Sequence, residues 1–428
     1  MLREKAEEFL KEYYPQKLTY EERLALLKAL RQELEGEEAP LLSFQRRYRS
    51  LIEEIEGADR EALKELHGEL THMALEAFEE SRSVREVQGL CSDCRGAIAR
   101  RLLLLVEGEM EAEGWGPPPS PYAWMAMGSE GRREETLYTD QDNLLVYRWD
   151  EEGARRLLQQ GELLKRRLLK MAGEPRPPRE RDALDEYFEV FSEKMVQRLE
   201  EVGIRRCKGG VMPVNEKWRA DLEGWKERIA GKVSYGRGPL TVLDLIILMD
   251  LRFVGGHKGL AEELIDFANA HLVQNRNLVN EMASSAILIP LPLGLFRRFV
   301  TEKTGEHKGK INLKLGGWAP LVLIVRVMAK TYGVKETNTF ERIKALEERE
   351  VLNPRFAMDL QEALYILMKL RISHQRELLL KGLPSDDNYI DPYKLPEGEQ
   401  KELRFAIKKV EELQKLANEI YFGGGFWR

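Results

Sequence analysis

Apolar residues return every three or four positions through residues 1–113, set among Glu, Lys and Arg, with Phe9, Leu18, Leu24, Leu26 and Leu27 as examples. That spacing is helical, because 3.6 residues per turn bring such positions onto one face. The apolar run 102–106 ends a long segment, and Gly114, Gly116 and prolines 117–119 stop it. The proline run with Ser120-Pro121 reads as a stiff linker. The texture then changes. Residues 122–127 are apolar and aromatic and end in Gly128-Ser129, as a buried strand entering a tight turn would. A second strand is predicted over 143–147 through Leu144, Leu145 and Val146. Helical periodicity resumes over 151–203, interrupted by the charged, proline-rich stretch 174–181. Residues 208–214 are a candidate third strand and 218–229 a helix. From Pro239 the chain reads as helical almost to its end. Thr241 caps a helix over 242–254 that Gly255-Gly256 stops. Further helices are predicted at 260–276, 320–332, 339–348, 355–382 and 397–421, before a flexible tail at 423–425.

This order predicts an α+β protein with a small mixed β-sheet between helical ends. The regions would be 1–115, 116–236 and 237–428. The chain has 428 residues, 43% hydrophobic and 33% charged, long enough for two or three domains. Its net charge of -6 argues against a generic nucleic-acid coat, which needs excess Lys and Arg. No apolar run reaches the ~20 residues of a membrane helix, and the first residues are charged, so no membrane is expected and a cytoplasmic location is. The three cysteines are too few for a disulfide framework. Cys91 and Cys94 lack a second pair for zinc and read as ordinary helix cysteines. The six histidines show no metal spacing, and Trp218 and Trp225 are better core residues than base platforms.

Chemistry concentrates in residues 128–147. Gly128-Ser129 closes a strand, where glycine lets backbone approach a ligand and a turn exposes N–H groups to phosphate. Asp140 and Asp142 are two apart at the start of the next strand, so both carboxylates point the same way. Converging carboxylates repel unless a cation lies between them. Mg²⁺, which takes carboxylates plus substrate phosphates, is the expected cation, and two such ions fit the chemistry. Arg132 and Arg133 stand between the two elements, for phosphate or for surface pairing. These are parts for phosphoryl or nucleotidyl transfer from a nucleoside triphosphate. The bland alternative is a capped turn with a solvated Asp142. Lys208, beside Gly209 and Gly210, is either a second anion-contacting loop or a solvated turn. Lys314 and Arg326 read first as partners of nearby carboxylates, with a place at the site as the alternative.

The pattern resembles the nucleotidyltransferases related to the amino-terminal domain of the PII-protein uridylyltransferase, within the polymerase-β superfamily. Gly128, Ser129, Glu130, Gly131, Arg132, Glu134, Thr139, Asp140, Gln141, Asp142 and Asn143 carry the signature. Residues 207–218, 250–256, 308–322, with Arg326, Thr337, Thr339 and Arg342, and 367–375 resemble later blocks; the likeness covers about 85–420.

The resemblance implies Mg²⁺-dependent transfer of UMP or AMP to an acceptor hydroxyl, the acceptor being a regulatory protein as in PII uridylylation. Asp140 and Asp142 would bind metal and act catalytically. Gly128, Ser129, Gly131, Arg132, Lys208 and Asn215 would hold the nucleotide. Relatives often carry CBS or cyclic-nucleotide-binding domains in front; the helical segment here implies no such sensing. Asn312 stands where relatives often have Asp. The candidate strand 208–214 has no carboxylate, leaving Asp250, in a predicted helix, as the third acidic candidate. Two other readings stay open: a nucleotide-binding regulatory module without transfer, and a helical interaction protein whose Asp pair is incidental.

Overall fold

The computed structural model describes residues 19–160, 180–231, 240–294, 298–383 and 388–423. Phe9 and Leu18 of the predicted first helix, the proline-rich stretch 174–179 and tail residues 424–425 lie outside the described residues. The chain divides into two compact units, Met1–Glu54 and Ile55–Arg428. Helix α1 (Tyr20–Gly57) continues through Pro40.

The second unit starts with two long helices. α2 (Arg60–Ser81) is capped by Asp59, which accepts from the Ala62 amide at 2.9 Å, and α3 (Val84–Ala112) by Ser83. The glycines predicted to end α3 do so, Gly114 and Gly116 both at positive φ. Cys91 and Cys94 lie buried in α3 as core residues, and burial pushes their thiols up to about 11 and about 12.

The sheet follows. β1 (Tyr122–Ala126) enters a single turn of helix, α4 (Gly128–Gly131); then come β2 (Asp140–Gln141) and β3 (Asn143–Tyr147). α5 (Glu151–Gln160) and α6 (Glu180–Val202) precede β4 (Arg205–Arg206), and β5 (Arg219–Asp221) leads into α7 (Leu222–Ile229). α8 (Val242–Leu248) precedes β6 (Arg252–Gly256). The main sheet runs β5-β3-β1-β6, with β1 antiparallel to both neighbours and β3 parallel to β5. β1 and β3 are buried throughout, which is why each reads as an unbroken apolar run. α6 packs on the sheet through aromatics, with Phe188 stacked on Tyr147 at 4.5 Å and Phe191 edge-on to Tyr122 at 5.0 Å.

Two expectations fail here. Residues 208–214 are a loop; the third strand is β5, at the start of what reads as the 218–229 helix. The helix expected over 242–254 ends at Leu248. Its cap is as expected, Thr241 and Asp244 closing a capping box. Residues 252–256, however, pair with β1 as strand β6. A glycine pair that stops a helix in sequence terms here ends an edge strand, because open hydrogen-bonding groups of β1 are within reach.

The remaining chain is helical: α9 (Lys258–Gln274), α10 (Arg276–Ile287), α11 (Ala319–Thr331), α12 (Thr339–Glu348), α13 (Pro354–Leu380) and α14 (Glu397–Phe422). A two-stranded ribbon of β7 (Ile311–Asn312) and β8 (Tyr389–Ile390) runs into a π-helical turn, Lys314–Trp318. One buried apolar cluster joins sheet and carboxy-terminal helices, from Ala74 through Met125 and Leu144 to Ala417. No helix among the described residues is long and apolar enough to cross a membrane.

Candidate active site

The chain leaves β1 at Ala126, and the Met127 amide donates to the Asp142 carbonyl at 2.7 Å. Gly128 turns it at φ +56° into α4. A Cβ at Gly128 would overlap the Asp142 carboxylate. The glycine is therefore required twice, by conformation and by that close approach. Ser129 follows, half-buried; its carbonyl accepts from the Glu134 amide at 2.9 Å, and its hydroxyl has no protein partner among the described residues.

Across the turn, side chains alternate. The buried Gln141 amide donates to the carbonyls of Val196 at 3.1 Å and Ile204 at 2.8 Å. The buried Asn143 amide donates to Glu130 at 3.0 Å. Asp140 and Asp142 fall on the intervening positions and act on one another electrostatically. Asp140 is half-exposed, 3.6 Å from Arg205 on paired strand β4. Burial pushes the Asp142 carboxyl above its ordinary range; the Cys207 thiol and the charges of Lys314 and Arg132 oppose that rise, and Asp140 adds to it. Cys207 brings the 207–215 loop to Asp142, with exposed Lys208 next in the chain.

The other predicted nucleotide contacts are engaged elsewhere. Gly131 is buried, and a Cβ there would strike the Asp250 carbonyl; its smallness serves packing. Arg132 is buried and donates to Glu134 and Asp250, each at 2.7 Å, so it braces the loop rather than presenting itself to phosphate. The Asn215 amide donates to the Gly210 carbonyl at 2.5 Å and ties the loop together at a glycine of φ +69°.

Asp250 is not a third acidic ligand. It lies just past α8, fully buried, paired with Arg326 at 2.6 Å, Arg132 at 2.7 Å and Arg342 at 2.9 Å. Arg326 thus belongs to this cluster, as its first reading had it. Strand β5 supplies no substitute: Arg219 starts it, opposite Leu145, and Asp221 caps α7 by accepting from Gly224 at 2.6 Å. Among the described residues no group of three or more His, Cys, Asp or Glu is placed to hold a metal ion. The pair that is present still fits a hard divalent ion arriving with phosphate oxygens, because Asp142 holds a partly buried carboxylate with Asp140 as its carboxylate neighbour.

Beneath the pair lies a buried polar layer that sequence reasoning missed. Glu130 and Glu135 interact there with Arg252, and Arg95 lies 3.5 Å from Glu135. Arg95 also donates to the carbonyls of Thr136 at 2.7 Å and Leu137 at 2.9 Å, fixing the loop before the pair. Burial raises both carboxyls, Glu130 to about 7. The available signal was an arginine inside an apolar helical stretch, as at Arg95 and Arg326.

A mixed sheet with a glycine turn after one strand and an aspartate pair leading into its antiparallel neighbour is the arrangement expected of a nucleotidyltransferase-type site. Residues 68–237 match the family described as "Putative nucleotidyltransferase DUF294". Residues 276–421 match the one described as "Putative nucleotidyltransferase substrate binding domain". The chain belongs to this nucleotidyltransferase family, which supports a general nucleotidyltransferase role with a nucleoside triphosphate as substrate. No curated protein matches the chain.

Proposed function

We propose that the protein is a cytoplasmic, Mg²⁺-dependent nucleotidyltransferase that moves UMP or AMP from a nucleoside triphosphate to an acceptor hydroxyl, the acceptor being a regulatory protein. The observation that carries this is the Asp142 carboxylate seated over the Gly128 turn, with the half-buried Ser129 next in the chain. In the reaction the acceptor oxygen bonds to the α-phosphorus and the bond to the bridging oxygen breaks. Pyrophosphate leaves, and the hydroxyl proton passes to solvent. Asp140 and Asp142 would hold the divalent ion, which supplies neutralisation of phosphate charge. Gly128 and Ser129 cradle the phosphates, and Lys208 stands at the rim.

The test is incubation with α-labelled UTP or ATP, Mg²⁺ and candidate acceptor proteins. Label transfer with pyrophosphate release, abolished in Asp142→Asn, supports the reading. The lack of a third acidic residue beside Asp142 among the described residues favours a second one: a module that binds nucleotide without transferring it. Nucleotide-dependent thermal stabilisation without label transfer to any acceptor would select that module.

A further inference from the structure

A triphosphate adds several negative charges to a place that already holds two carboxylates, so a cation of the protein is needed there besides the metal. The arginines that precede the pair in sequence do not serve. Arg132 is buried on Asp250 and Glu134, and Arg133 pairs with Asp93. The cation that the fold does bring to the pair comes from β4, the strand after α6.

Backbone pairing puts it there. β4 runs parallel to β2, with Arg205 opposite Asp140 and Arg206 opposite Gln141. The pairing is anchored behind: the buried Gln141 amide donates to the Ile204 carbonyl at 2.8 Å, and the Ile204 amide donates to the Leu199 carbonyl at 2.9 Å. Beyond β4 the chain returns to the pair, where the Asn143 amide donates to the Val211 carbonyl at 3.0 Å. Residues 205–211 therefore border residues 140–143 at both ends through the main chain. Arg206 is taken by Glu200 at 2.7 Å. The Arg205 guanidinium lies 3.6 Å from the Asp140 carboxylate and 5.3 Å from the centre of the Tyr138 ring. At 3.6 Å the two charges attract without a hydrogen bond. Both side chains are about half exposed, 47% and 49%. Ion pairs of this kind are weak and exchange at little cost. Asp140 can thus pass from Arg205 to a divalent ion, leaving a planar guanidinium beside the metal's ligand. That fork matches phosphate oxygens two at a time.

We infer that Arg205 is a phosphate-binding residue of the nucleotide site, neutralising Asp140 until a divalent ion takes that carboxylate. This rests on the nucleotidyltransferase reading. Removing Arg205 then has opposite effects on two ligands. The metal meets less competition at Asp140, while the triphosphate loses a contact. A side chain that served only the fold would move both affinities the same way or neither.

The test uses the full chain and two titrations: Mn²⁺ alone, followed by the electron paramagnetic resonance signal of the free ion, and ATP or UTP in saturating Mg²⁺, followed by calorimetry. Arg205→Gln and Arg205→Lys are compared with wild type and with Arg206→Gln, next on the same strand. Arg205→Gln should tighten Mn²⁺ binding about two- to fivefold, the worth of an exposed ion pair. The same variant should raise the dissociation constant of the preferred triphosphate roughly tenfold or more. Arg205→Lys keeps the charge, so its Mn²⁺ affinity should stay within about twofold of wild type and part of the triphosphate affinity should return. Arg206→Gln should change neither, and no melting temperature should move. Triphosphate affinity within about twofold of wild type in Arg205→Gln overturns the inference and leaves the nucleotidyltransferase reading standing. So does Mn²⁺ binding that is unchanged or weaker in that variant, which would mark Arg205 as a support for Asp140. A wild-type chain that binds neither Mn²⁺ nor triphosphate overturns both.

Discussion

Replacing Asp250 by Asn tests the brace that holds the candidate site to the carboxy-terminal helices. The side chain is 0% exposed, accepts charge-assisted hydrogen bonds from Arg132 at 2.7 Å and Arg342 at 2.9 Å, and forms an ion pair with Arg326 at 2.6 Å. Asn keeps the shape and removes the charge. The three guanidinium groups would then keep Glu134, which is bound to Arg132, as their nearest carboxylate in the cluster. Taking one partner from a buried charge set costs about 3–5 kcal/mol, because the others stay desolvated and uncompensated. Urea unfolding of the full chain, followed by tryptophan fluorescence at pH 7, should show a loss in that range. Arg342→Met alone should also destabilise, and the double variant should lose less than the sum by at least about 1 kcal/mol, since each change removes the other's penalty. pH gives an independent check. Burial alone would raise the Asp250 carboxyl, but Arg326, Arg132 and Arg342 together hold it below its ordinary range. A carboxyl lowered on folding stabilises above its unfolded value, near 3.8, and that stabilisation is lost as pH falls through the folded value. The gap between wild type and Asp250→Asn should therefore narrow below about pH 4. A loss under 1 kcal/mol at pH 7, or strictly additive losses, would refute the brace.

Two other perturbations follow. Gly128→Ala forces a Cβ into the Asp142 carboxylate and places an L-residue at φ +56°; label transfer and calorimetric Mg²⁺–triphosphate binding should both fall at least tenfold with about 1–2 kcal/mol lost in stability, and transfer within twofold of wild type would contradict that geometry. Glu130→Gln removes a carboxyl that burial raises to about 7. A carboxyl raised on folding stabilises most at low pH and ceases to do so as pH rises through its folded value, so the variant should gain on wild type between pH 5 and pH 8 by on the order of 1–3 kcal/mol in urea titrations; parallel pH profiles would exclude it.

The amino-acid sequence by itself determined the local parts. Helical spacing placed α11 to α14 to within a few residues, because amphipathic helices declare themselves over many turns. The unbroken apolar runs of β1 and β3, the glycine turn and the Asp-x-Asp alternation were legible because period two and glycine's conformational freedom are properties of the chain within a few residues. What only tertiary structure decided depends on partners distant in sequence. Residues 252–256 became a strand because β1 had an open edge, and 208–214 became a loop because β5 took the place beside β3. Arg132 looked like a phosphate contact until Asp250, 118 residues on, claimed it. Lys314, which looked like a surface partner for some nearby acid, forms no ion pair among the described residues and is one of the charges acting on Asp142. Charge finds its partner through space, and in a buried site that partner, more than the residue type, decides what an arginine or lysine does.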